Sequence, residues 1–271
     1  MSDQVYDLFK VMEPYLAYFI FILGALLGSF ANVVIYRWPK QESIVRPGSR
    51  CPHCAQPIAF YDNIPILSWV FLRGKCRACG GKISFRYPLV EFIMAALFLL
   101  IYLFVGWNWS LLEYLVMTFG LVTASFIDLD HFLLPDVITL PGLALGLVGS
   151  FLNPDRQVLD SVMGVLVGGG FLWAIAVIYQ LLRKEEGMGG GDIKLLAWVG
   201  AVLGWKAVPF VIVSASLIGS VLGLILAGKK GKGLKTVIPF GPYLAFGAIL
   251  YLCGGESLGA WYIRLFIPGL E

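Results

Sequence analysis

An all-α polytopic membrane protein, with about eight transmembrane helices and a small zinc-binding cytoplasmic loop domain, is the fold class that three observations predict. The 271-residue chain is 59% hydrophobic and only 14% charged, with a mean hydropathy of +0.82, whereas soluble domains carry about a quarter charged residues. Its apolar residues gather into long runs separated by polar stretches. Four of its five cysteines form two CxxC pairs inside one polar stretch.

The first run, 15–36, is long enough to cross a bilayer, which takes about 20 residues of helix at about 1.5 Å each. The residues before it hold Asp3, Asp7 and Glu13 against Lys10 alone, so a retained span is expected rather than a cleaved targeting segment. A polar segment, 37–88, follows. In it Cys51 and Cys54 are separated by twenty-one residues from Cys76 and Cys79, close to the usual ribbon spacing of about 15 to 20. Four thiolates close a tetrahedral shell around zinc at about 2.3 Å and leave no open coordination position, so the ion is expected to be structural. It would supply folding energy to a segment with little core of its own. His53 is an alternative ligand, and two disulfides are the alternative to a metal.

Seven further runs are expected to span, at 89–105, 111–127, 137–152, 161–182, 192–204, 207–227 and 239–253. The sixth of the eight, 192–204, is short for a bilayer crossing. Glycines four apart, Gly24 with Gly28 and Gly164 with Gly168, suit close helix packing. With 37–88 in the cytoplasm, sixteen basic residues fall on that side, and only Lys10, Arg156, Lys206 and Arg264 on the other. The positive-inside rule then puts both termini outside. The net charge of +3 is too small to suggest a nucleic-acid partner, and the lone Cys253 reads as a small buried hydrophobe.

The chemistry is expected at one membrane face. Asp128, Asp130 and Asp136 lie within nine residues at the end of the third run, where ionisable groups are costly and mark function. Asp128 is nearest the apolar run. Asp130 points about 200° away from it on a continuing helix, and Asp136 precedes a helix whose first turn it would stabilise. Asp192 also precedes an apolar helix, but it follows Gly187, Gly189, Gly190 and Gly191, more glycine than a helix cap requires. Such a strip gives another backbone access to Asp192. Asp128 and Asp192 both fall at cytoplasmic ends of spans, so packing could unite them as a dyad that shares one proton and activates water. The competing reading is a membrane ion or proton carrier built on the same acids.

The segments GSFANVVIYRWP (28–39), YPLVE (87–91), IDLDHFLLPD (127–136), GMGGGDIKLL (187–196) and IPFGPYLAFGA (238–248), with the two CxxC pairs, together resemble the bacterial prepilin peptidases. The resemblance covers nearly the whole chain. It implies a GxGD-type intramembrane aspartyl protease of the bacterial inner membrane, with Asp128 and Asp192 catalytic and Gly189, Gly190 and Gly191 at the substrate backbone. It also implies cleavage of type IV prepilins and type II secretion pseudopilins after a glycine at the cytoplasmic face, and N-methylation of the new terminus with S-adenosylmethionine. The corresponding division is a first span (1–36), a zinc-binding, methylation-associated domain (37–88) and a membrane-embedded peptidase domain (89–271). Candidate cofactor residues are Glu91, Asn32 and Arg37, although Asn32 and Arg37 equally suit an interhelical hydrogen bond and a membrane-surface anchor.

Overall fold

The computed structural model describes residues 3–154, 156–185, 188–230, 238–255 and 257. Two compact units result, Met1–Trp107 and Asn108–Glu271. Among the described residues there are helices and two isolated β-bridges, and no strands.

In the first unit, α1 (Asp3–Arg37) packs along α3 (Arg86–Val105). The contact is close because Gly24 and Gly28 bring the α1 backbone onto α3. A Cβ at either would stand 2.7 Å from the Cα of Ala95 or Glu91, which is the small-residue approach expected of membrane helices. The polar segment between them contains a short helix, α2 (Leu67–Phe71), and 3-10 turns at Trp38–Lys40 and Phe60–Asn63.

The second unit contains α4 (Trp109–His131), α5 (Asp136–Leu152), α6 (Val158–Arg183), α7 (Gly190–Leu203), α8 (Ala207–Lys230) and α9 (Gly241–Leu250). α9 continues into a π turn at Tyr251–Gly255. Neighbouring helices form a ring in the order α4, α5, α6, α8, α9 and back to α4, and α7 touches all five. Its residues Leu195 to Val202 are all buried, as a helix apolar on every side must be. Gly164 of α6 and Gly200 of α7 meet backbone to backbone, and the Trp198 ring fills the space left by Gly120 of α4 and Gly142 of α5.

Every expected run is a helix, but eight spans are not established. Among the described residues five helices are long and apolar enough to cross a membrane: Met12–Lys40, Arg86–Val105, Trp109–His131, Val158–Arg183 and Ala207–Ile225. α5, α7 and α9 have 17, 14 and 10 residues. Fourteen residues rise about 21 Å, short of the about 30 Å hydrocarbon core. For α7 the physical reason is that protein surrounds it, so lipid thickness does not set its length.

Candidate active site and metal centre

Asp128 belongs to the last turn of α4. That helix starts at Asn108, whose side chain accepts from the Leu111 amide at 3.0 Å, and ends at Phe132 in the left-handed region, whose amide bonds the Asp128 carbonyl at 2.9 Å. Asp128 is 5% exposed while Asp130 is exposed, so the helix turns the two acids apart as the 200° argument requires. The Gly241 amide, at the start of α9, donates to Asp128 Oδ2 at 3.1 Å. That fixes the carboxylate from a point 113 residues further along the chain.

Asp192 lies in the first turn of α7, with its amide bonded to the Gly189 carbonyl at 3.2 Å. Its Oδ1 is buried and has no hydrogen-bond partner among the described residues. The nearby Asp128 charge acts on it electrostatically. Among the described residues neither acid belongs to an ion pair. The structure therefore brings Asp128 and Asp192 to the same end of the bundle.

The glycine strip differs in detail from expectation. Gly189 has φ −71°, and none of the three described glycines uses a positive φ. A Cβ at Gly189 or Gly190 would meet nothing within 4 Å, so the space beside them is open. At Gly191 it would stand 2.7 Å from Leu134 Cβ. Leu134 also fills the space beside Gly241, so one leucine lies against the backbones flanking both acids. Gly187 lies outside the described residues.

Three contributors escape a reading of the sequence. Gly241 and Leu134 are two, and Lys194 is the third: its Nζ bonds both Asp136 oxygens, at 2.7 and 2.8 Å, tying the start of α5 to α7. The segment IPFGPY, with a glycine and proline opening a helix, signals a special backbone position, but not its partner.

In the first unit, the Sγ atoms of Cys51, Cys54, Cys76 and Cys79 lie within 4.8 Å of one another. Cys51 and Cys79 Sγ are 3.8 Å apart, matching the about 3.8 Å edge of a tetrahedral thiolate shell with 2.3 Å bonds. Each pair sits in a knuckle closed by backbone bonds, Cys51 with Gln56 and Cys76 with Gly81. The residues after the second cysteines, Ala55 and Gly80, have φ of 57° and 69°. The amides of Cys54 and His53 lower the Cys51 thiol to about 6, which keeps it available as a thiolate. His53 stands outside the four-sulfur cluster, and its Nε2 bonds the Lys82 carbonyl at 3.0 Å, joining one knuckle to the other. These four sulfurs could hold a metal ion.

The candidate cofactor residues are engaged with backbone. Asn32 Nδ2 donates to the Tyr87 carbonyl at 3.0 Å. Arg37 donates to the carbonyls of Ser43, Pro47 and Gly48. Glu91, 8% exposed, accepts from the Ile66 amide at 2.7 Å.

Comparison with known proteins bears on this arrangement. Residues 22–105 match the bacterial peptidase A24 N-terminal domain, and residues 115–224 match the type IV leader peptidase family. A prepilin leader peptidase/N-methyltransferase of Aeromonas hydrophila is 40% identical over 92% of this chain and 94% of its own. Proteins of the same description are 39% identical in Stutzerimonas stutzeri, over 90% of this chain and 92% of theirs, and 36% in Neisseria gonorrhoeae, over 92% and 94%. No solved structure matches. An all-helical membrane chain with an N-terminal cysteine tetrad, matched along nearly its whole length by these enzymes, belongs to the type IV leader peptidase family.

Proposed function

We propose that this chain is a membrane aspartyl endopeptidase that removes the leader of type IV prepilins and pseudopilins after a glycine, and then N-methylates the new terminus. The observation that carries the peptidase reading is the meeting of Asp128 and Asp192 at one end of the bundle, shielded and without a cation. Two carboxylates in such a place share a single proton. The ionised member takes a proton from water as it attacks the scissile carbonyl. The protonated member polarises the carbonyl oxygen and then helps protonate the departing amine. Gly241 holds Asp128 in one orientation, and the open flank at Gly189 and Gly190 admits the substrate backbone.

The distribution of basic residues supports placing this end at the cytoplasmic face of the inner membrane, with both termini outside. The cysteine tetrad holds zinc as a structural ion, since four thiolates complete its shell. S-adenosylmethionine supplies an electrophilic methyl group when bound. Asn32, Arg37 and Glu91 do not fit it as they stand, because each is spent on the protein's own backbone.

In purified protein, Asp128→Asn and Asp192→Asn each lower prepilin cleavage by about 10³-fold or more while the fold persists. Cleavage surviving in both variants overturns the dyad. Chelating the metal unfolds the knuckles and impairs methylation more than cleavage; equal loss of both argues against separable activities.

A further inference from the structure

The metal-binding segment is polar except for one stretch. From Ile64 to Leu72 the only polar side-chain groups are the Ser68 hydroxyl and the Trp69 indole N–H, and around this stretch Phe60 is 87% exposed, Phe71 81%, Val70 57% and Leu67 53%. Leaving such side chains in water is unfavourable, so their common exposure points to a covering phase.

What covers them follows from where α2 is fastened. The Ile66 amide, which opens α2, is bonded to the buried carboxylate of Glu91. Ile66 is held at φ 63°, a conformation a β-branched residue adopts only under constraint. Glu91 is five residues into α3, about 8 Å beyond its first residue. The Trp69 indole donates to the Ile83 carbonyl at 3.1 Å and packs edge-on against Phe85, just ahead of α3. α2 is thus level with the first turns of a helix that spans the bilayer by length and composition.

The two polar side-chain groups of the apolar stretch are satisfied within the protein, which lowers the cost of entering lipid. Ser68 Oγ donates to the Tyr61 carbonyl and accepts from the Ile64 amide. Beyond α2 stand the exposed cations Arg73 and Lys75, placed to reach lipid phosphates. Asp62, in the turn ahead of α2, receives a bidentate pair from Arg77 of the second knuckle at 2.6 and 2.8 Å, which couples the metal centre to this stretch.

We propose that residues 60–72 anchor the metal-binding segment to the membrane surface. α2 lies in the headgroup–acyl boundary of the leaflet in which α3 begins, with Phe60, Leu67, Val70 and Phe71 in the acyl region. The anchor sets the depth and tilt of the knuckles relative to α3.

Photo-crosslinking of the full chain in nanodiscs of phosphatidylethanolamine and phosphatidylglycerol tests this. Benzoylphenylalanine replaces Phe71, with Leu103, 62% exposed on α3, as the lipid-facing reference and the exposed Gln56 as the aqueous one. Lipid adducts at 71 are expected near the level at 103 and at least about tenfold above 56. Adducts at 71 no more frequent than at 56, or adducts formed with substrate or a second copy instead of lipid, overturn the proposal. If the Phe71 variant loses its metal, the same replacement at Val70 decides the question by the same criteria.

Discussion

The two ends of the second unit treat a shielded acid in opposite ways. At one end Asp128 and Asp192 face each other's charge, and Asp192 Oδ1 lacks any partner among the described residues. At the other end Glu113 of α4 is paired at 2.8 Å with Arg156, which also donates to the carbonyls of Gly146 and Val202. Nearby, Asn153 donates to Ser110 at 2.8 Å and the Trp205 indole to Asp160 at 3.2 Å. One end therefore pairs its acid with a cation, with Glu113 Oε2, Arg156 Nε and Ser161 Oγ outside any hydrogen bond among the described residues, while the other sets two acids together with no ion pair among the described residues. An acid pair left without a counter-charge among the described residues suits the catalytic role proposed for it.

The comparison is broken most directly by exchanging the consequences of mutation. Asp192→Asn is expected to abolish cleavage, by about 10³-fold or more, with stability unchanged or raised, because it relieves like-charge repulsion. Arg156→Met is expected to do the reverse. It strands a shielded carboxylate and two carbonyls, costing about 3–5 kcal/mol in thermal unfolding while the folded fraction keeps its activity. The double variant Glu113→Gln/Arg156→Met recovers part of that loss, since no uncompensated charge remains. A catalytic defect from Arg156→Met as large as that of Asp192→Asn would show the two ends to be equivalent after all.

Smaller effects sharpen the contrast within the catalytic end. Gly191→Ala drives a methyl into Leu134, which costs about 1–3 kcal/mol and displaces the turn carrying Asp192, so cleavage falls with stability. Gly190→Ala meets open space and is expected to change stability by less than about 0.5 kcal/mol. Lys194→Met removes an ion pair whose partners are 38% and 56% exposed. It is expected to cost less than about 1 kcal/mol, read by unfolding in low and high salt.

Much of this was legible in the sequence, where the signal is local. Each apolar run became a helix, the two CxxC pairs converge, and the turn between Asp128 and Asp130 separates them by exposure. Asp192 stood out because four nearby glycines exceed what a cap needs. Partners distant in the chain were not legible. Nothing in IPFGPY names Asp128 as the acceptor for Gly241, and neither periodicity nor spacing couples Glu113 with Arg156 or Asp136 with Lys194. The number of membrane crossings was not legible either, because hydropathy does not separate a helix wrapped in protein, such as α7, from one wrapped in lipid. The anchor stretch was hidden inside a segment judged by its average polarity.

The contact between Gly164 and Gly200 has a mechanical meaning. With no side chain between the two backbones there is nothing to repack, and one turn away the Leu196 carbonyl lies against Gly168 in the same way, so α7 is held to α6 along a line of backbone contact. Asp192 lies eight residues from Gly200, about 12 Å along that line, so the seat of the proposed catalytic carboxylate is set by backbone contact. Because a misplacement of about 1 Å can cost about 100-fold in rate, a seat fixed by backbone suits the proposed hydrolysis.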